Sequence, residues 1–179
     1  MEEIEVPIEG AQEEIHHHAE HERGTWISQV ALGSAIMAVF AAIAASLGGH
    51  HSNEAVIDQI QAADQWSLYQ AKGIKLAITE TRNELKGLLG KPITEEGQSK
   101  KEKYEAEKEE ISKEAKELES TSRWHLRTHQ ILARAVTLFQ VAIAIAAISV
   151  LTRKRRYWYL SACFGVIGLG FFVFSFFVK

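Results

Sequence analysis

WISQVALGSAIMAVFAAIAASL, residues 26–47, runs for 22 residues without an ionisable side chain, and that property sets the class of fold to expect. A helix of that length rises roughly 30 Å, the thickness of a bilayer's hydrocarbon core. A soluble helix keeps one polar face, whereas this stretch is apolar all round. Trp26 stands where an interfacial anchor belongs, and Gly48-Gly49-His50 marks the exit. Eight glutamates and one arginine precede Trp26, the reverse of the short basic region that opens a signal peptide.

Two further stretches share the character of the first. TLFQVAIAIAAISVLT, residues 137–152, has a short uncharged part and must draw its first turn from Leu132 to Val136. That places Arg134 just inside the boundary, where a long side chain snorkels back to water. YWYLSACFGVIGLGFFVFSFFV, residues 157–178, carries no charge. The expected fold class is therefore all-α: an integral membrane protein with three transmembrane helices and a long antiparallel, coiled-coil-like helical hairpin between the first and second. The expected organisation begins with an acidic, His-rich segment at 1–24, readable as an amphipathic helix. Transmembrane helices follow at 25–48, 132–152 and 157–178, a hairpin at 49–131 turning near 90–94, and a basic loop at 153–156.

Whole-chain averages conceal this segregation. The 179 residues are 46% apolar and 24% charged, with a formal net charge of −3. That balance excludes the basic excess of a nucleic-acid binder, so no nucleic-acid partner is expected. The single cysteine, Cys163, excludes a disulfide framework or a Cys-cluster metal site. Arg153, Lys154, Arg155 and Arg156 crowd the short loop before the third stretch, where the positive-inside rule is most dependable. They place that loop and the N-terminus in the cytoplasm and the hairpin outside it, and they suit contact with anionic lipid head groups. The insertion's 13 basic residues pull the other way, but most stand far from the membrane ends.

Between Asn53 and Leu89 there is no proline, and apolar or small residues recur at Ile57, Ile60, Leu68, Ala71, Ile74, Ile78, Leu85 and Leu88. These steps of three, four and seven predict one buried helix face. Gly90-Lys91-Pro92 ends the arm, and Thr94 caps the next. From Lys100 to Glu119 the second arm holds six lysines and eight glutamates, with a thin seven-residue stripe at Tyr104, Ile111, Leu118 and His125 and with Ala115 and Ser122 between. Two such arms bury little apolar surface, which predicts a homo-oligomer. The membrane stretches agree, with small residues four apart at Ser34, Ala38, Ala42 and Ser46, at Ala142 and Ala146, and at Ser161 and Gly165.

Histidine is the one clustered functional residue type. His17 and His21, one turn apart near Glu13 and Glu14, offer two nitrogens and a carboxylate to a divalent metal such as zinc, though without the HExxH arrangement. A solvated amphipathic helix is the competing reading. His50 and His51 leave the first membrane stretch and His125 and His129 precede the second. In a register that sets His50 opposite Arg134, all four meet at the membrane–hairpin junction, a candidate metal or proton-sensing site. Imidazoles that merely suit the interface are the alternative. Asp64 falls on the predicted stripe and calls for a register-setting ion pair with Arg123; Asp58 near Arg127 reads the same way. No nucleotide loop or nucleophile elbow is present, and no enzyme is expected.

GHHSNEAVIDQIQAADQWSLYQAKGIK, from Gly49 to Lys75, and HLRTHQILARAVTLFQVAIAIAAISVLTRKRR, from His125 to Arg156, resemble the two signatures of an uncharacterised bacterial membrane-protein family, domain of unknown function 4337. The glutamate- and histidine-rich start is similar to it too. The resemblance implies three membrane helices, a charged helical insertion and a multi-pass place in a bacterial inner membrane. It implies no activity, cofactor or catalytic residue. Three functions stay open: a self-assembling structural or interaction protein whose hairpin meets a protein partner, a channel or transport component, and a metal-binding or pH-responsive sensor.

Overall fold

The computed structural model describes residues 25–92 and 95–178, together with Gly10 and Glu13. Its regular structure is helical throughout those residues. Helix α1 is Thr25–Leu88, α2 is Glu95–Thr152 and α3 is Arg155–Phe174, followed by a 3₁₀ turn at Ser175–Phe177. All three helices contain a stretch long and apolar enough to cross a membrane. The chain divides into two compact units: one takes the chain up to Ser52 and from Leu126 onward, the other is Asn53–His125.

Both turns close on the same backbone device. After α1, Gly90 sits at φ +67°, its N–H bonds to Gly87 O at 3.0 Å and Lys91 N–H to Lys86 O at 2.9 Å. After α2, Arg153 takes the corresponding place at φ 54°, with Arg153 N–H on Val150 O at 3.1 Å and Lys154 N–H on Ser149 O at 3.3 Å. Both are Schellman closures that satisfy a helix's last carbonyls. A side-chain-bearing residue in the left-handed region is strained, so the second turn is tight. The basic loop is accordingly shorter than expected. Arg155 and Arg156 already belong to α3, because the closure reverses the chain within two residues.

In the first unit small residues let helix backbones approach. Ala142 and Ala146 of α2 are fully buried, as is Ser161 of α3, whose hydroxyl donates to Ala142 O at 2.6 Å. Gly168 lies so close to α2 that a Cβ there would stand 3.2 Å from Leu138 Cβ and from the Phe139 ring. Phe139 stacks on Phe40 at 6.1 Å between centroids, and Phe172 meets Phe40 edge-on. The expected stripe Ser34–Ala38–Ala42–Ser46 is split. Ser34 is buried while Ala42 and Ser46 face outward, and the inward line is instead Ile27, Ser34, Ala41 and Gly48. A spacing of seven holds one face of a long helix, whereas a spacing of four drifts around it.

The Asn53–His125 unit is an antiparallel pair of arms, but the first arm packs by a face other than the one expected. Ile57, Ile60, Leu68, Ala71, Ile74, Ile78, Leu85 and Leu88 are all exposed. The inward line is Ala55, Ala62, Tyr69, Leu76 and Asn83, seven apart, of which Ala55, Ala62 and Asn83 are buried and the other two half-buried. Opposite them stand Ile111, Ala115 and Ser122, all buried, with Tyr104, Leu118 and His125 half-buried as the stripe predicted. Charge decides between the two faces. Lys72 pairs with Glu107, Glu80 with Lys101 at 3.0 Å, and the Lys108 ammonium sits 4.6 Å from the Tyr69 ring centroid. Only the alanine face of the first arm carries these partners beside it.

Candidate functional site

The seam of the hairpin is polar at the end where its two chain termini enter. Ser122 donates its hydroxyl to Ala55 O at 2.7 Å. Trp66 Nε1–H donates to Glu119 Oε1 at 2.8 Å, and the other oxygen of Glu119 lies 3.6 Å from Arg123. Arg123 therefore goes to Glu119 and not to Asp64, which is exposed, because the arm is rotated so that Asp64's face turns outward. Asp58 is turned to the seam, its Oδ2 buried and 4.0 Å from His125 Nε2. That contact becomes an ion pair only when the imidazole is protonated. Arg127, the partner expected for Asp58, is exposed and belongs to the other unit.

The junctional histidines are placed as follows. His50 is exposed and its ring lies beside that of His51, 5.6 Å between centroids. His129 Nδ1 bonds to Gly48 O at 2.8 Å. A carbonyl only accepts, so Nδ1 carries a proton, and in the neutral ring Nε2 is the nitrogen left to accept or ligate. Leu132 stands 3.5 Å from a Cβ built at Gly48, which moves the pairing about one helical turn from the register that set His50 against Arg134. His125 packs edge-on to Trp124 within the other unit, so the four histidines divide three and one between the units. Among the described residues no group of three or more His, Cys, Asp or Glu side chains is arranged to hold a metal ion. His17 and His21 lie outside the described residues.

The basic turn is exposed from Arg153 to Arg156. Arg155 extends over the Trp26 ring at 5.7 Å, and Arg156 over Tyr157 at 5.0 Å. Four exposed cations at the end of an apolar bundle, two of them over aromatic rings, are suited to phosphate-bearing head groups.

Farther along the arms, Glu107 is held below the ordinary carboxylate value of 4.5, first by the hydrogen bond from Lys72 and then, against desolvation, by the charges of Lys72, Lys103 and Lys75. A carboxylate with a lowered folded pKa stabilises the fold above its unfolded value, and that contribution disappears as pH falls through the lowered value. Thermal melts of the full chain in detergent between about pH 3 and 6 are expected to show an acid limb that Lys72→Met flattens. An unchanged limb in that variant would assign the acid sensitivity elsewhere.

What sequence reasoning missed is a surface. The exposed apolar residues of the first arm line its outward side, and a groove of about 520 Å³ there is bounded by Ala77, Ile78, Thr81, Leu85 and Leu89 among others. The signal was available, because Ala55, Ala62, Tyr69, Leu76 and Asn83 keep the same seven-residue spacing. Hydropathy favours the wrong one of the two lines.

The family model described as "Domain of unknown function (DUF4337)" matches residues 26–178. No curated protein and no solved structure matches the chain.

Proposed function

The chain belongs to the DUF4337 family, and from that premise we propose that it is a membrane-anchored structural or interaction protein that self-assembles through its apolar helices and its projecting hairpin. In this reading the stretches at 25–48, 132–152 and 157–178 cross a bacterial inner membrane. Arg153–Arg156 hold the cytoplasmic head groups, and the hairpin stands on the opposite side.

The observation that carries the reading is the outward side of the first arm. Ile74 is 62% exposed and Ile78 56% exposed, on an arm whose mate is dense in lysine and glutamate. A water-solvated arm whose exposed face is apolar from Ala71 to Leu88 but for Thr81 is an interaction surface. A conduit is less favoured by the bundle's hydroxyls. Ser34 donates to Ala31 O within α1 and Ser161 of α3 to Ala142 O of α2, so both hydroxyls are spent within the bundle and do not line a path.

The test is the native mass of the intact chain in lipid nanodiscs, expected to be a multiple of the protomer; a monomer in lipid would overturn the reading. Its orientation is checked by Lys91→Cys, expected to react with a membrane-impermeant maleimide on whole cells. Labelling from the cytoplasmic side alone would reverse the topology.

A further inference from the structure

We infer that the outward side of the first arm is a parallel, in-register seam between copies of this chain. The inference rests on the self-assembly proposed above and names the surface that joins the copies. The exposed residues follow an alternating step of three and four: Ile57, Ile60, Asp64, Ser67, Ala71, Ile74, Ile78, Thr81, Leu85 and Leu88. These are the a and d places of five consecutive heptads, the spacing by which one helix receives another knob into hole. The line lies on the opposite side of the helix from Ala55, Ala62, Tyr69, Leu76 and Asn83, which the chain's own second arm occupies. One arm thus carries two seams, and only one is filled within the protomer.

A second copy fits this seam better than any other segment of the chain. Residues 1–24 precede the first apolar stretch and lie across the bilayer from the arm in the proposed topology. The six apolar seam residues other than Ala71 are between 45% and 84% exposed. Fully covered, they would supply most of the ~800 Å² a side of a standard interface. Copies inserted with one topology project their arms in one direction, which makes the pairing parallel. In a parallel pair the flanking places bring Gln70 to Lys75 and Ala77 to Arg82 of the neighbour, so no like charges oppose one another there. When the arms are level Asp64 and Ser67 lie opposite their own copies, and the two like-charged Asp64 carboxylates stay apart in water there. Register comes from the apolar places: level arms set Ile57, Ile60, Ile74, Ile78, Leu85 and Leu88 each against its own copy, whereas a slip of one heptad sets Asp64 against Ile57.

The experiment uses full-length chain in lipid vesicles, with Cys163→Ala as background and single cysteines at neighbouring positions. Under mild oxidation Ile60→Cys and Ile74→Cys are expected to give disulfide-linked dimers at least about tenfold more abundant than Gln59→Cys and Gly73→Cys, whose side chains point off the seam. The double substitution Ile74→Glu, Ile78→Glu is expected to lower the native mass while far-ultraviolet dichroism stays unchanged, since both positions are exposed. Dimers at Ile60→Cys but not Ile74→Cys, or the reverse, would indicate antiparallel crossing and overturn the inference. So would an oligomer that survives the double substitution without seam disulfides, although self-assembly itself would then stand. A wild-type chain that is monomeric in nanodiscs would remove the proposed function as well.

Discussion

Ala115→Glu is expected to unfold the Asn53–His125 hairpin, with a loss of about 3–4 kcal/mol, the scale of an unpaired charge forced into a close-packed place. Ala115 is fully buried, on the seam that Ala62, equally buried, contributes from the other arm. A glutamate there must spread the arms or lose its water, and spreading breaks the Lys72–Glu107 and Glu80–Lys101 contacts as well. The control is the same substitution nine residues earlier. Ala106→Glu lies on an exposed side of α2 and is expected to change stability by less than about 0.5 kcal/mol. Hydrogen exchange along residues 53–125 reads both. Equal protection in the two variants would show that alanine size does not hold this seam.

The second large effect is expected at Gly168→Leu, at about 2–3 kcal/mol, the usual cost of overpacking. In the proposed bilayer no hydrophobic force favours association between apolar helices. Contact distance and hydrogen bonds such as that from Ser161 to Ala142 O supply what holds them. A leucine at Gly168 drives into Leu138 and Phe139, whereas Gly170, two residues on, has nothing within 4 Å of an added Cβ. Gly170→Leu is therefore expected to leave the thermal transition unmoved while Gly168→Leu lowers it. The transition is followed by the fluorescence of Trp158, which packs against the buried Val30 and Ala146 cluster. If the two glycines behaved alike, α3 would be held by its length and hydropathy and not by close packing.

Much of the candidate site was legible only in outline. The basic turn could be named because four consecutive cations, Arg153 to Arg156, stand between two uncharged stretches. Its geometry could not, since an arginine in the left-handed region violates the preference by which turns are read from sequence. The four-histidine junction rested on an assumed register. One turn of difference sends His129 to Gly48 O and leaves His50 exposed. Asp58 was recognised as a seam carboxylate with the wrong cation, because the position that faces it, His125, is two residues from the Arg127 that charge alone would choose.

The helices themselves follow from local sequence. Uncharged runs of bilayer length, an arm without proline, a closing Gly90 and a seven-residue stripe in the second arm each depend on neighbours within a turn or two of the same helix. Which side of the first arm lies inside depends on the helix it packs against. That arm satisfies a spacing of seven twice, once with isoleucines and once with alanines. The choice depends on what the opposing helix presents: small seam residues that admit close approach, and lysines and glutamates that require Lys72, Glu80 and Tyr69 beside them. Periodicity is a property of one helix, whereas steric and charge complementarity belong to a pair.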